Sequence, residues 1–160
     1  MQTVLRGSNG DSIVFDETWF PVVIATWYGK ASEESVRAYY ERLGAALARA
    51  RAEGLVLVNV VDSAKAEVPS AEIRRLITEL TVVWEKQGAD PTTVRAFVVI
   101  ESAAIRGVIH VLNWLHGGMR SVNVASLEQA IAASIEALRA VGQPVPAGLA
   151  PGKVQRPARP

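Results

Sequence analysis

Three apolar runs, Val22 to Tyr28, Leu55 to Val61 and Val94 to Ile100, constrain this chain more than any other feature. Each is too continuously apolar to keep one face in water, so each reads as a strand buried on both faces. The stretches that follow them have the period of a helix. Strands that alternate with helices are joined by crossovers, which make the strands parallel and lay the helices over the sheet. An α/β domain follows.

The stretch from about Glu33 to Glu53 is capped by Ser32, carries acidic residues in its first turn and arginines near its end, and stops at Gly54. That polarity suits the helix dipole, and glycine is the preferred stop. Its apolar line is Val36, Tyr39, Tyr40, Leu43 and Leu47. After Pro69 and Ser70, a second helix places Ile73, Leu76, Ile77, Leu80 and Trp84 on one face and ends at Gly88. Ser102 caps a third, from about Ala103 to Leu115, which stops at Gly117-Gly118. A short strand, Ser121 to Ala125, leads to Ser126-Leu127-Glu128-Gln129, whose capping-box spacing opens a last helix with Leu127, Ile131, Ile135 and Leu138 toward the core.

At the start, Thr3 to Arg6 and Ser12 to Asp16 flank the turn Gly7-Ser8-Asn9-Gly10 and read as a hairpin. The order is β-β-β-α-β-α-β-α-β-α. It predicts a mixed, mostly parallel central sheet with an antiparallel N-terminal edge, covered by about four helices. Residues 1–142 form one domain in this reading. The remainder, 143–160, holds five of the eight prolines and no periodicity, so a flexible tail is expected there.

A length of 160 residues with 49% hydrophobic content is enough for one core. Lys plus Arg number 17 against 16 Asp plus Glu, which removes the electrostatic footprint of a dedicated nucleic-acid binder. Without cysteine there are no disulfides, thiolate nucleophiles or Cys-based zinc sites. Neither a Gly-x-Gly-x-x-Gly nor a Gly-Lys-Ser/Thr phosphate loop occurs, so no cofactor is expected, and Gly7, Gly10 and Gly29 read as turn residues. Asp11, Asp16 and Glu17 lack calcium-loop spacing and read as a solvated hairpin face. No apolar run approaches the ~20 residues of a membrane span, and the start lacks the layout of a signal peptide, so a cytoplasmic location is expected.

The third helix carries the most chemistry. His110 and His116 fall roughly 120° apart on it, which disfavours a two-histidine metal site. Arg106, His110 and Asn113 share a stripe that could anchor a polar or anionic group, or could simply be its solvated side. The apolar residues, among them Gly107, Val111, Trp114 and Leu115, cover roughly 220° of the wheel, more than one sheet can bury. A neighbouring element, a second subunit, a protein partner or an apolar ligand must cover the surplus. Asp62 and Ser63 stand at the carboxyl end of a strand, with Ser70 before the next helix, where open α/β sheets place ligand and switch residues. Ser70 is also a natural N-cap. No serine sits in a nucleophile-elbow glycine pattern, and no nucleophile has an adjacent base and orienter, so no catalytic residue is assigned.

The order of elements, with Val22 to Gly29, Leu55 to Ser63, Pro69 to Trp84, Val94 to Ser102 and the closing Ser126 to Leu138, resembles the STAS-like, or SpoIIAA-like, bacterial domains over about residues 12 to 141. That resemblance implies a small non-enzymatic regulatory domain that binds a protein partner, sometimes switched by phosphorylation of a serine at the start of the second helix. Ser70 occupies such a position, within Pro69-Ser70-Ala71-Glu72 and not the family's Asp-Ser-x-Gly, and Ser63 is the other candidate. The expectation is a bacterial cytoplasmic signalling domain, a homodimer through the third helix. The alternative is a binder of a small apolar ligand or lipid in a pocket beside that helix, as in lipid-carrier domains that the fold also resembles.

Overall fold

Alternation along each apolar run divides its side chains between two faces, and both faces are buried. In a computed structural model, which describes residues 1–102 and 121–160, the described residues form a single sheet of six strands in chain order. These are β1 (Gln2–Arg6), β2 (Ser12–Asp16), β3 (Val22–Gly29), β4 (Leu57–Ala66), β5 (Val94–Val99) and β6 (Val122–Val124). The pairs β1/β2 and β2/β3 are antiparallel; β3/β4, β4/β5 and β5/β6 are parallel. The mixed sheet with an antiparallel N-terminal edge is therefore as the sequence predicts.

Three helices accompany it among the described residues: α1 (Glu33–Ala52), α2 (Ala71–Lys86) and α3 (Leu127–Ala140). About four were expected; the stretch from 103 to 115 lies outside the described residues. Right-handed crossovers between strands laid down in one direction put the connecting helices on the same face. Accordingly Tyr39, Leu43 and Leu47 of α1 and Trp84 of α2 share a cluster with Ile13, Phe15, Val23, Ala25, Leu57 and Val94. The closing helix is free to take the other face, where Leu127, Ile131, Ile135 and Leu138 meet Val22, Ile24, Val58, Val60, Phe97 and Val99.

Four details differ from the sequence reading. Strand β4 runs on to Ala66 instead of stopping at Val61, because after a register shift it pairs with Tyr28 and Gly29 of β3. Asp62 and Ser63 thus lie within the strand and not after it. On α2 only Trp84 is buried; Ile73, Leu76, Ile77 and Leu80 are half-buried. Asp11, expected in solvent, is 3% exposed, because it caps α1.

The Pro-rich segment, read from composition as a flexible tail, lies against the α3 face. Gln143 fixes its start, accepting from the Val56 N–H at 3.1 Å. Leu149 is 5% exposed, and Val145 and Val154 pack beside it on the second cluster. The physical reason is its apolar residues: Val145, Leu149 and Val154 join the second cluster, as Trp19 does.

Candidate functional site

The period of two along a strand sets Thr26 and Tyr28 of β3 and Asp62 of β4 on the α3 face, at the carboxyl ends of the parallel strands. A carboxylate there is shut from water: Asp62 is 0% exposed, beside Thr26 at 1%. Burying an ionised carboxylate requires a hydrogen-bonded counter-charge. Arg156 supplies it from the Pro-rich segment. Its Nε donates to Oδ2 at 2.6 Å and its Nη2 to Oδ1 at 3.1 Å, a two-pronged fork, and Nη2 also donates to Glu101 Oε1 at 3.1 Å. The Ala64 N–H donates to Asp62 Oδ1 at 3.2 Å. The hydrogen bonds it donates to Asp62 hold the Arg156 guanidinium above its ordinary pKa against the opposing effect of burial.

One strand away, the Tyr28 hydroxyl donates to the carbonyl of Pro157. Burial and then the Asp62 charge raise the phenol's pKa, partly offset by Arg156, so it remains a donor. Beyond it, Arg159 Nη2 donates to the Gly10 carbonyl in the β1–β2 turn at 2.9 Å. The sequence reading placed Asp62 at this sheet end and missed Tyr28, Arg156 and Pro157. The available signal was the aspartate itself: closing an apolar strand, it needs a cation from elsewhere in the chain.

Ser63 and Ser70 are not brought together with Asp62. The Ser63 hydroxyl donates to the Val99 carbonyl at 2.5 Å, across to β5. Ser70 caps α2, accepting from the Ile73 N–H at 3.2 Å. Gly107, Val111, Trp114 and Leu115, and the stripe of Arg106, His110 and Asn113, lie outside the described residues, as do both histidines. Among the described residues there is no cluster of three or more His, Asp or Glu side chains able to hold a metal ion. No described helix is long and apolar enough to cross a membrane.

A second polar centre closes the other edge. Asp11 Oδ2 accepts from the Ser32 N–H at 2.9 Å, the Ser32 hydroxyl at 3.2 Å and the Ser35 hydroxyl at 2.5 Å. It fastens the hairpin to the N-terminus of α1, where the helix dipole favours a negative charge. Its donors and its burial mark it as architecture. On the opposite side of the sheet from Arg156, a solvent-open groove of about 440 Å³ runs between α1 and α2, bounded by Arg37, Tyr40, Glu41, Leu80 and Val83.

No family model matches the chain, and no curated protein matches it in sequence. Solved structures do. An anti-sigma factor antagonist from Mycobacterium paratuberculosis superposes with a TM-score of 0.50 at 12% identity, covering 81% of this chain and 97% of that one. The anti-sigma factor antagonist SpoIIAA in its unphosphorylated form gives 0.49 at 12%, over 79% and 97%. An uncharacterized protein with a SpoIIAA-like fold from Shewanella loihica gives 0.47 at 15%, over 82% and 90%. At such identities the likeness to the mycobacterial protein speaks for fold, and the STAS-like fold read from element order is the fold observed.

Proposed function

We propose that the chain is a non-enzymatic regulatory domain of a bacterial cytoplasmic signalling system, acting by binding a protein partner and itself homodimeric. The observation that carries this reading is how the polar groups at the carboxyl end of the sheet are engaged. Asp62 is neutralised by a guanidinium fork and Ser63 is tied to a main-chain carbonyl, so neither is poised as base or nucleophile. The fold shared with an anti-sigma factor antagonist supports a partner of the anti-sigma factor kind.

Ser70 is the better placed of the two switch candidates. Half-buried at the N-terminus of a 16-residue helix, it would place a phosphate among free N–H groups, whereas Ser63 would have to break its bond to Val99. The test is a binding series of the intact chain against purified bacterial anti-sigma factors, by biolayer interferometry, with Ser63→Glu and Ser70→Glu beside the wild type. Saturable micromolar or tighter binding, weakened at least tenfold by Ser70→Glu, is expected. Binding to none of them would overturn the reading of the partner class, and an equal response of all three chains would remove the switch.

A further inference from the structure

We propose that the carboxyl end of β3 and β4 is a receptor for an irregular, arginine-bearing segment of a protein partner, and that residues 155–159 occupy it in cis until such a segment displaces them. The proposal rests on the reading of the chain as an interaction domain and names the chemistry of what that domain takes.

The receiving groups lie at the carboxyl end of the sheet and in the loops beside it. Asp62, fully buried, offers both carboxylate oxygens, and Glu101 adds a third acceptor from the end of β5. Two planar nitrogens of a guanidinium fit that arrangement, and a lysine ammonium does not reproduce the fork. The Tyr28 hydroxyl offers a donor to a peptide carbonyl one residue further on, and the Gly10 carbonyl offers an acceptor to a second basic side chain. Together they read a chain with an arginine followed by a free carbonyl.

The occupant is held lightly. Among the described residues, no main-chain hydrogen bond joins 153–160 to the sheet. Lys153, Gln155, Ala158 and Arg159 are exposed; Val154 is half-buried against the second cluster, and the deeper hydrophobic anchor, Leu149, lies upstream of the fork. Residues 155–160 can therefore lift while Leu149 stays seated. A partner's arginine taking the place of Arg156 makes the same bonds, so the buried carboxylate keeps a counter-ion and the exchange is close to neutral in bonding. Concentration then decides: a short tether gives the internal segment an effective concentration on the order of millimolar, which an external segment must outcompete. Weakening the internal arginine therefore opens the site.

The experiment uses full chains and one probe, a fluorescein-labelled peptide with the sequence of residues 149–160. The Arg156→Ala chain should bind it at least tenfold more tightly than the wild type by fluorescence anisotropy. The Asp62→Asn/Arg156→Ala chain, and a peptide carrying Arg156→Ala, should each lose at least tenfold. Equal binding of the peptide to wild type and a folded Arg156→Ala chain overturns the proposal, as does equal binding of the arginine-free peptide. If Arg156→Ala fails to fold, the wild type answers alone: the Arg156 Nε–H signal in nitrogen-resolved NMR should be protected and should shift to a solvent-exposed position with several millimolar peptide. An unmoved signal overturns the proposal, and the same shift with arginine amide at equal concentration overturns the peptide in favour of a free guanidinium compound. Failure here with anti-sigma factor binding intact removes the receptor and leaves the function; displacement without such binding removes that partner class and leaves the receptor.

Discussion

Asp11 illustrates how one residue can tie two elements together and set a pH dependence. Burial alone would raise its pKa, and the bonds from Ser35 and Ser32 outweigh that and leave it below the usual carboxylate value. A depressed folded pKa means that the carboxylate's contribution to stability is complete above the unfolded pKa of about 3.9 and is lost as pH falls through the folded one. Glu34, beside it, is likewise lowered, through its own backbone N–H and the Ser8 hydroxyl. Asp11→Asn keeps the shape but not the charge, and should reduce stability at pH 7 by about 1–2 kcal/mol. The gap between the two chains in urea denaturation should narrow as pH falls below about 4. A gap that holds unchanged down to pH 3 would show that the charge does not matter to the cap. The same centre explains Gly7. A Cβ there would stand 2.1 Å from Asp11 Oδ1 and from Ser32 Oγ, so this glycine answers to close approach and not only to the turn. Gly7→Ala should cost about 2 kcal/mol by overpacking. Gly10→Ala, where nothing stands within 4 Å but φ is +71°, should cost about 1 kcal/mol of backbone strain and leave the cap intact. Similar losses at both would place the constraint in the turn alone.

At the scale of elements, the segment 143–160 shows where composition misleads. Prolines and missing periodicity describe a chain that forms no helix or strand, and they say little about whether it packs. Proline also lowers the entropy lost on ordering, so a Pro-rich segment needs few contacts to stay seated. Val145, Leu149 and Val154, four and five residues apart, match neither period and so give no pattern to detect. Leu149→Ala should cost about 2–3 kcal/mol, as for a buried leucine. Val68→Ala, at a residue 61% exposed, should stay within about 0.5 kcal/mol. Comparable small effects of both would mean that Leu149 does not belong to the core. Helix α2 misleads in the opposite direction. Its apolar line predicts one buried face, yet only Trp84 is fully covered, while Val82 and Val83 are 43% and 49% exposed. Periodicity reports which side faces inward and not how deeply the helix sits.

For the molecule as a whole, topology was legible because it rests on rules of handedness and on caps that act within a few residues. Ser32, Ser70 and Ser126 each accept the hydrogen bond expected of an N-cap. The site was legible only on one side. Asp62 stands at the predicted end of a strand, but its partner is 94 residues away in a segment without pattern, and no local rule reaches that far. The same limit applies to assembly. If the sequence around Val111 and Trp114 is the helix expected of it, it carries more apolar surface than one sheet can cover, and the proposed homodimer places that surplus between two copies. Native mass spectrometry of the gently purified chain should then give twice the 17.2 kDa of one copy. Trp114→Glu, which sets a charge among the proposed contacts, should shift the population to monomer while the circular dichroism spectrum stays that of the folded chain. A wild-type monomer without added mass would remove the dimer. A monomer carrying added mass would instead assign the surplus to an apolar ligand, and one extraction would identify it.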